Sequence, residues 1–253
     1  MPERYKGFGY WDIATRQMGI VTKSQQTRFK DAKVAVIGCG GIGGETISML
    51  ARMGIGELII VDKDEFDLSN LNRQAMSSMD CLGLSKVEVT KEKIRLTNPY
   101  TKVTAINEFI DESNVEYFKD CDIILDALDN LYTRIIVSRY ARENDIPFIH
   151  GAIHGTQGQL SVFTKDTKSY EELFSLPSFG KELNDETKEE ISKLTKGVPP
   201  VIGPVPNVIG CLNAFEAYKL ITGIGEVTYA PKVLSFDLLN LESFKVLELE
   251  FKF

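Results

Sequence analysis

Gly38-Cys39-Gly40-Gly41-Ile42-Gly43 stands where a β-branched run gives way to a helical pattern. Glycines suit that junction because the backbone must turn tightly and bring its N–H groups to phosphate oxygens at the positive end of the helix. Gly38, Gly40, Gly41, Ile42 and Gly43 are therefore expected to cradle a nucleotide. Asp62 closes the next apolar run, where a carboxylate can accept from ribose hydroxyls. To this point NAD, FAD and ATP all fit. The next residues narrow the choice. Arg73 offers a fixed fork of donors suited to phosphate oxygens. Asn70 and Gln74 add neutral donors, Asp64 lies beside them, and Lys86 opens a helical stretch. An NAD enzyme has no evident need for an Arg and a Lys converging there; a triphosphate losing pyrophosphate does. Asp126 and Asp129, in Asp126-Ala127-Leu128-Asp129-Asn130, put two carboxylates at the end of a further apolar run. That suits Mg²⁺, which takes a few carboxylates plus phosphate oxygens and water. Each residue alone has a structural explanation: Lys86 a solvated helix start, Arg73 a surface ion pair, Asp129 a helix N-cap. Together they point to chemistry on ATP.

Local patterns place these residues along one edge of a sheet. Lys33–Ile37 is a short β-branched run ending at glycines, as buried parallel strands do. Gly41–Met53 reads as a helix through Ile42, Ile47, Leu50 and Met53, and Leu58–Val61 as a second buried strand. Ser85–Leu96 is an amphipathic helix ended by Asn98-Pro99. Val103–Ile106, Ile123–Asp126 and Phe148–His150 complete the strands, with a helix over Leu131–Asn144. This alternation predicts an α/β, Rossmann-like, mostly parallel sheet with helices on both faces. After Gly151 the texture changes. Gly158–Thr164 alternates like a strand with one wet face, and residues 165–198 are a polar excursion with a helix around Asp185–Leu194. A Pro/Gly cluster leads into a helix over Val208–Ile221. Lys232–Asp237 and Phe244–Glu250 then alternate as antiparallel C-terminal strands that extend the sheet. A single domain over 1–253 is expected: a helical arm (1–30), a nucleotide-binding core (31–164), the excursion (165–198), and a last helix with the final strands (199–253).

The 253 residues, 43% hydrophobic and 26% charged, are enough to bury a core without covalent staples. A net charge of -7 argues against a nucleic-acid partner. The longest apolar runs are strand-sized, well short of the ~20 residues of a membrane helix, and Met1–Tyr10 carries Glu3, Arg4 and Lys6 with no apolar signal core. Cys39, Cys81, Cys121 and Cys211 lie far apart with no C-x-x-C pair, which fits a reducing compartment. A soluble cytoplasmic protein, bound to neither membrane nor nucleic acid, is expected. Cys39, Cys121 and Cys211 read as buried thiols and Cys81 as the exposed one.

The glycine loop, the segment VDKDEFDLSNLNRQ (Val61–Gln74), Lys86 and LDALDN (Leu125–Asn130), in this order and spacing, resemble the ubiquitin-activating-like (ThiF-type) adenylyltransferases, which include the molybdopterin- and thiamine-pathway activators. The resemblance runs from Thr15 to Phe251, taking in Arg16-Gln17, Gly151-Ala152 with Gly158-Gln159, and Gly203–Gly223. It implies that Asp62 holds the ribose, that Asn70, Arg73 and Lys86 contact the phosphates, and that Asp129 binds Mg²⁺ beside Asn130. It also implies that Arg16 reaches the site from the partner subunit of a homodimer, which the Asn207–Leu220 helix helps to build. The implied reaction is adenylylation: a carboxylate displaces pyrophosphate from ATP.

Two departures from the family matter. Members with a structural zinc carry two C-x-x-C pairs; the first falls here at Ser169-Tyr170-Glu171-Glu172, and no second pair occurs before Phe253. Without thiolates no structural zinc is expected. Members that form a thioester or persulfide use a cysteine in the crossover segment, and Lys165–Gly197 has none. These losses tilt the acceptor toward a small-molecule carboxylate, such as the guanylylpyridinol cofactor precursor of methanogens. The alternative is the C-terminal Gly-Gly of a ubiquitin-like carrier; a tRNA nucleoside fits poorly with the acidic balance. His150 and His154, flanking Gly151-Ala152-Ile153, are read as substrate-facing, with a core role for His150 as the alternative. The rivals in function are an NAD-dependent oxidoreductase, which leaves Arg73, Lys86 and the Asp126/Asp129 pair unexplained, and an inactive binding subunit, which has no chemical reason to keep them.

Overall fold

A computed structural model describes residues 7–194, 197 and 200–249. Helices α1 (Tyr10–Ala14) and α2 (Lys23–Asp31) lead into a sheet of eight strands. The strands are β1 (Lys33–Ile37), β2 (Glu57–Val61), β3 (Lys102–Ile106), β4 (Ile123–Asp126), β5 (Phe148–His154), β6 (Gln157–Phe163), β7 (Lys232–Asp237) and β8 (Phe244–Glu248). Their spatial order is β3-β2-β1-β4-β5-β6-β7-β8. Pairing is parallel from β3 across to β5 and antiparallel from β5 to β8. The expected Rossmann-like fold with antiparallel C-terminal strands is thus the observed one. The final strand was expected to reach Glu250, which lies outside the described residues, as do residues 1–6 of the arm and 195, 196, 198 and 199 of the excursion and the segment after it.

Successive strand residues feed two different cores, which is why the strands read as unbroken apolar runs. Val34 and Val36, with Leu58, Ile60, Ile123 and Leu125, pack under α3 (Gly41–Met53) and α8 (Pro204–Thr222). Ala35, Ile37, Ile59, Val61 and Ile124 face the opposite layer, against Ile135, Ile136 and Val137 of α5 (Leu131–Glu143). The first layer also holds α4 (Lys86–Thr97); the second holds the short α6 (Tyr170–Leu173) and Ile191 of α7 (Asp185–Ser192). Among the described residues no helix is long and apolar enough to cross a membrane.

Two elements outrun their sequence signals. β5 continues through Gly151 to His154 and pairs with β6 along its whole length. Gly151 is tolerated in mid-strand because a Cβ there would lie 2.6 Å from Asn213 and from Ile209 of α8. The close approach of that helix needs the bare backbone. Helix α8 begins at Pro204, four residues before the apolar pattern becomes regular, with a second proline at Pro206. Proline costs nothing in a first turn, where the N–H has no intrahelical acceptor.

Candidate active site

The strand order reverses between β1 and β4, and nucleotides bind in the crevice beyond the carboxyl ends of strands at such a point. Ile37 and Asp126 are register partners there. The chain leaves β1 through Gly38 at φ +100, and a Cβ on Gly38 would sit 2.5 Å from the Ala127 carbonyl oxygen. The two loops are therefore in backbone contact. They open into a cavity of about 350 Å³, within the usual range for small-ligand pockets of about 300–1,000 Å³.

The cavity gathers most of the expected residues. Gly38, Gly40, Gly41, Ile42, Asp62, Asp64, Arg73, Lys86, Asp129 and Asn130 all line it. Gly43 lies behind the loop, where it packs on the Gly38 carbonyl. Asp62 accepts from the backbone N–H of Cys39 at 2.7 Å and of Asp64 at 2.9 Å, which ties the acid to the glycine loop. Burial pushes the Asp62 carboxyl above its usual range, and Lys86 with the two N–H donors pulls the other way. Lys86 is only 7% exposed and donates to Asp64 at 2.9 Å, so its ammonium stays inside the cavity. Arg73 extends from a turn held by Asp67 and Asn70, donating to the Ser69 carbonyl at 2.7 Å and to Asn72 at 2.9 Å. Gln74 lies buried beside it with its side-chain carbonyl oxygen unpartnered.

Other expectations need correction. Asn70 does not line the cavity; its amide oxygen accepts from the Asp67 N–H at 3.0 Å and shapes the turn that carries Arg73. Asp126 is no metal ligand, for it is wholly buried, 2.5 Å from Arg134 Nε and 2.7 Å from His150 Nδ1. His150 takes the core role of its two readings and not the substrate-facing one: it is 1% exposed and lies under the site as Asp126's partner. His154 is exposed and outside the cavity lining. Arg16, expected at the partner subunit's site and not at its own, is exposed on a turn of 3₁₀ helix. Cys39 and Cys121 are buried as expected, but for the other two thiols the expectation is reversed. Cys81 is buried, its sulfur 3.1 Å from the Ser78 N–H, whereas Cys211 lies exposed on α8. Burial and neighbouring Glu45 push the Cys211 thiol up to about 11, so it is a poor nucleophile. Ser169, at the position of the first C-x-x-C pair, caps α6 through the Glu172 N–H.

Several lining residues escaped the pattern reading: Lys63, Phe109, Thr133, Arg134, Val201 and Pro206. Lys63 stands beside Asp62, and Thr133 and Arg134 lie on α5 three and four residues beyond its cap Asn130, so these had a local signal. Phe109 arrives with the segment after β3, and Val201 and Pro206 with the start of α8, which no local spacing encodes.

The buried pair makes stability depend on pH. Burial would raise the Asp126 carboxyl, but Arg134 and His150 overrule it and hold it below its usual range. Burial pushes His150 below its ordinary 6.5, with Arg134 adding to the shift and Asp126 opposing it. A depressed folded-state pKa means the unfolded chain takes up the proton first, so stability is lost as pH falls below 6.5. The melting temperature is expected to drop between neutral pH and mild acid, and His150→Gln to flatten that slope. An unchanged slope in the variant would place the acid sensitivity elsewhere.

A switch-point crevice, a glycine loop tied to Asp62, and two cations, Arg73 and Lys86, lining the same cavity suit a nucleotide-binding domain. The sequence matches the ThiF family over residues 14–252. The chain belongs to the ThiF family, the class of adenylyltransferase that this fold and cavity describe. It is 33% identical to the SAMP-activating enzyme E1 of Haloferax volcanii, over 85% of this chain and 76% of that one. It is also 33% identical to a probable molybdopterin-synthase adenylyltransferase of Porphyra purpurea, over 89% of this chain and 58% of that protein. Among solved structures it matches Escherichia coli MccB with ATP at a TM-score of 0.75 and 27% identity, covering 90% of this chain and 66% of MccB.

Proposed function

We propose that this protein uses ATP to adenylylate the C-terminal carboxylate of a protein or peptide, with release of pyrophosphate. One observation carries the reading: Arg73, Lys86 and Asp129 line the same cavity as the glycine loop and Asp62. A substrate carboxylate oxygen attacks the α-phosphorus of ATP, forming a new P–O bond as the bond to the pyrophosphate oxygen breaks. Both reactants are anionic, so the obstacle is charge. Preorganised cations are the effective remedy, and Arg73 and Lys86 supply two. No general base is needed, because a carboxylate is already ionised at neutral pH. ATP fits the cavity through the glycine loop, where Gly38, Gly40, Gly41 and Ile42 form the wall.

Among the described residues no cluster of three or more His, Cys, Asp or Glu stands ready to hold a metal. A single exposed carboxylate, Asp129, nevertheless suits Mg²⁺, which keeps most of its water and phosphate oxygens. Bound there, Mg²⁺ would offset charge on the departing phosphates.

The relatives favour a macromolecular acceptor over the small-molecule carboxylate that the missing thiols suggested. Two carry the names of enzymes acting on SAMP and on molybdopterin synthase, and MccB has been solved with N-formylated MccA. A Gly-Gly carrier tail is the acceptor proposed here. A homodimer is part of the same reading: α8 leaves Cys211 and Phe215 exposed and Val208 and Leu212 half-exposed along one side, an apolar face for a second copy. Arg16 would then reach the neighbouring site.

The test is ATP–pyrophosphate exchange with Mg²⁺ and a panel of acceptors. Label is expected to exchange only with a ubiquitin-like carrier ending in Gly-Gly, and not after its last glycine is removed. Exchange driven by small carboxylates alone would restore the small-molecule reading. Calorimetric binding of NAD without binding of ATP would overturn the chemistry itself.

A further inference from the structure

Asp129 sits in a three-residue span between two fixed points. On its far side Asn130 caps α5, its side chain accepting from the Thr133 N–H at 2.8 Å, and Thr133 in turn reaches the Ile110 carbonyl. On its near side Leu128 is gripped twice: its N–H donates to Asp126 Oδ1 at 2.9 Å, and its carbonyl accepts from Arg134 Nη2. The same guanidinium lies 2.5 Å from Asp126 Oδ2 through Nε. Arg134 thus ties the buried Asp126 at the end of β4 to the loop carrying Asp129, and it does so from the cavity wall with 12% of its side chain exposed.

Arg134 is held in turn from the excursion. Tyr170, on α6, is 5% exposed and sets its hydroxyl against the guanidinium. Its ring meets His150 edge-on at 4.9 Å and packs with Phe148, Phe163 and Phe174. Nothing in the proposed reaction uses this buried assembly directly.

We infer that Arg134 is a positioning residue for adenylylation, holding the Ala127–Asn130 loop so that Asp129 faces the phosphates, and that the Tyr170 hydroxyl fixes Arg134 in that role. A guanidinium is required because its planar fork can serve a carboxylate and a carbonyl together, which an ammonium on a flexible stem does not do at the same spacing. The inference rests on the proposed function, since it supposes that Asp129 meets the metal.

Two substitutions and a control test it. Arg134→Lys keeps the charge beside Asp126 and loses the grip on Leu128. Tyr170→Phe keeps the packing and loses the hydroxyl. Hydrogen exchange of the nucleotide-free protein reads the loop itself: faster exchange at the Leu128 amide is expected in both variants. With ATP and acceptor present, the Mg²⁺ concentration for half-maximal pyrophosphate exchange should rise about tenfold or more, the usual scale when an outer partner of a metal ligand is removed. Arg139→Lys is the control. Arg139 grips Glu171 through two bonds of 2.7 Å and the Ser178 carbonyl at 2.8 Å, on the side of α5 away from the cavity. It should lower the melting temperature and leave both Leu128 exchange and the Mg²⁺ requirement unchanged. Unaltered Leu128 exchange in Arg134→Lys and Tyr170→Phe overturns the inference, and so does an equal effect in Arg139→Lys, which would mean general loosening of α6. A wild-type protein that performs no pyrophosphate exchange defeats the functional reading instead, while the amide measurement still reports on the loop.

Discussion

Arg73→Ala is expected to lower ATP–pyrophosphate exchange by about 10²–10³-fold, the scale seen when one donor to a developing transition-state charge is removed. Stability should change by less than about 0.5 kcal/mol, as for surface substitutions away from packing. Both expectations follow from where the side chain lies. Its acceptors are the Ser69 carbonyl and the Asn72 side chain, both open to solvent, so water replaces the guanidinium without stranding a buried group. What would be lost is the cation proposed to face the phosphates. Arg73→Lys should recover only part of the rate, since a point charge cannot reproduce two parallel donors. Asp129→Ala, on an exposed loop position, should likewise lose exchange and keep its fold. Near-normal exchange in Arg73→Ala would falsify the assignment of the phosphate end of the cavity. A large fall in melting temperature would instead assign Arg73 a structural role.

The second large effect separates two glycines three residues apart. A Cβ on Gly43 would overlap the Gly38 carbonyl oxygen and lie 3.0 Å from the Ala127 side chain. The first of these is backbone and cannot swing aside, so the β1–α3 turn itself must move. Gly43→Ala is expected to cost at least the upper end of the usual overpacking range of about 1–3 kcal/mol, which is a fall of roughly 6–12 °C for a chain of this length. ATP binding should be lost with it. Gly40→Ala differs: its Cβ would meet only the Gln74 side chain, at an ordinary 3.6 Å. The fold should tolerate it, while the methyl stands in the phosphate cradle and weakens ATP binding. Calorimetry with ATP alongside thermal unfolding distinguishes the two, and equal melting temperatures for the pair would contradict the packing argument.

Arg73 and Gly43 both stand out in the sequence as site candidates because each is marked by its neighbours along the chain. The same holds for β1, β4 and β7, whose observed limits coincide with their apolar runs. Burial on both faces writes a continuous apolar run into β1 and β4, one wet face writes an alternation into β7, and a glycine turn with an acid one strand later writes a third signal. Such signals are local, so one sequence is enough to read them.

What lay beyond reach was the choice of partner across the chain. Asp126 and Asp129 are the same residue type three positions apart, and nothing in their spacing assigns one to the interior and the other to the cavity wall. The fold decides it: Asp126 is the last residue of a central strand, in register with His150 and within reach of an arginine on the next helix, while Asp129 lies past the strand's end in the open. Cys81 and Cys211 were exchanged for the same reason, because exposure depends on which face of a turn or helix finds a neighbour. Short-range pattern determines that there is a nucleotide loop and where the strands run. Only three-dimensional packing, which pairs groups far apart in the chain and lets a buried charge persist solely where its counter-charge arrives, determines which of several equivalent side chains remains free to act.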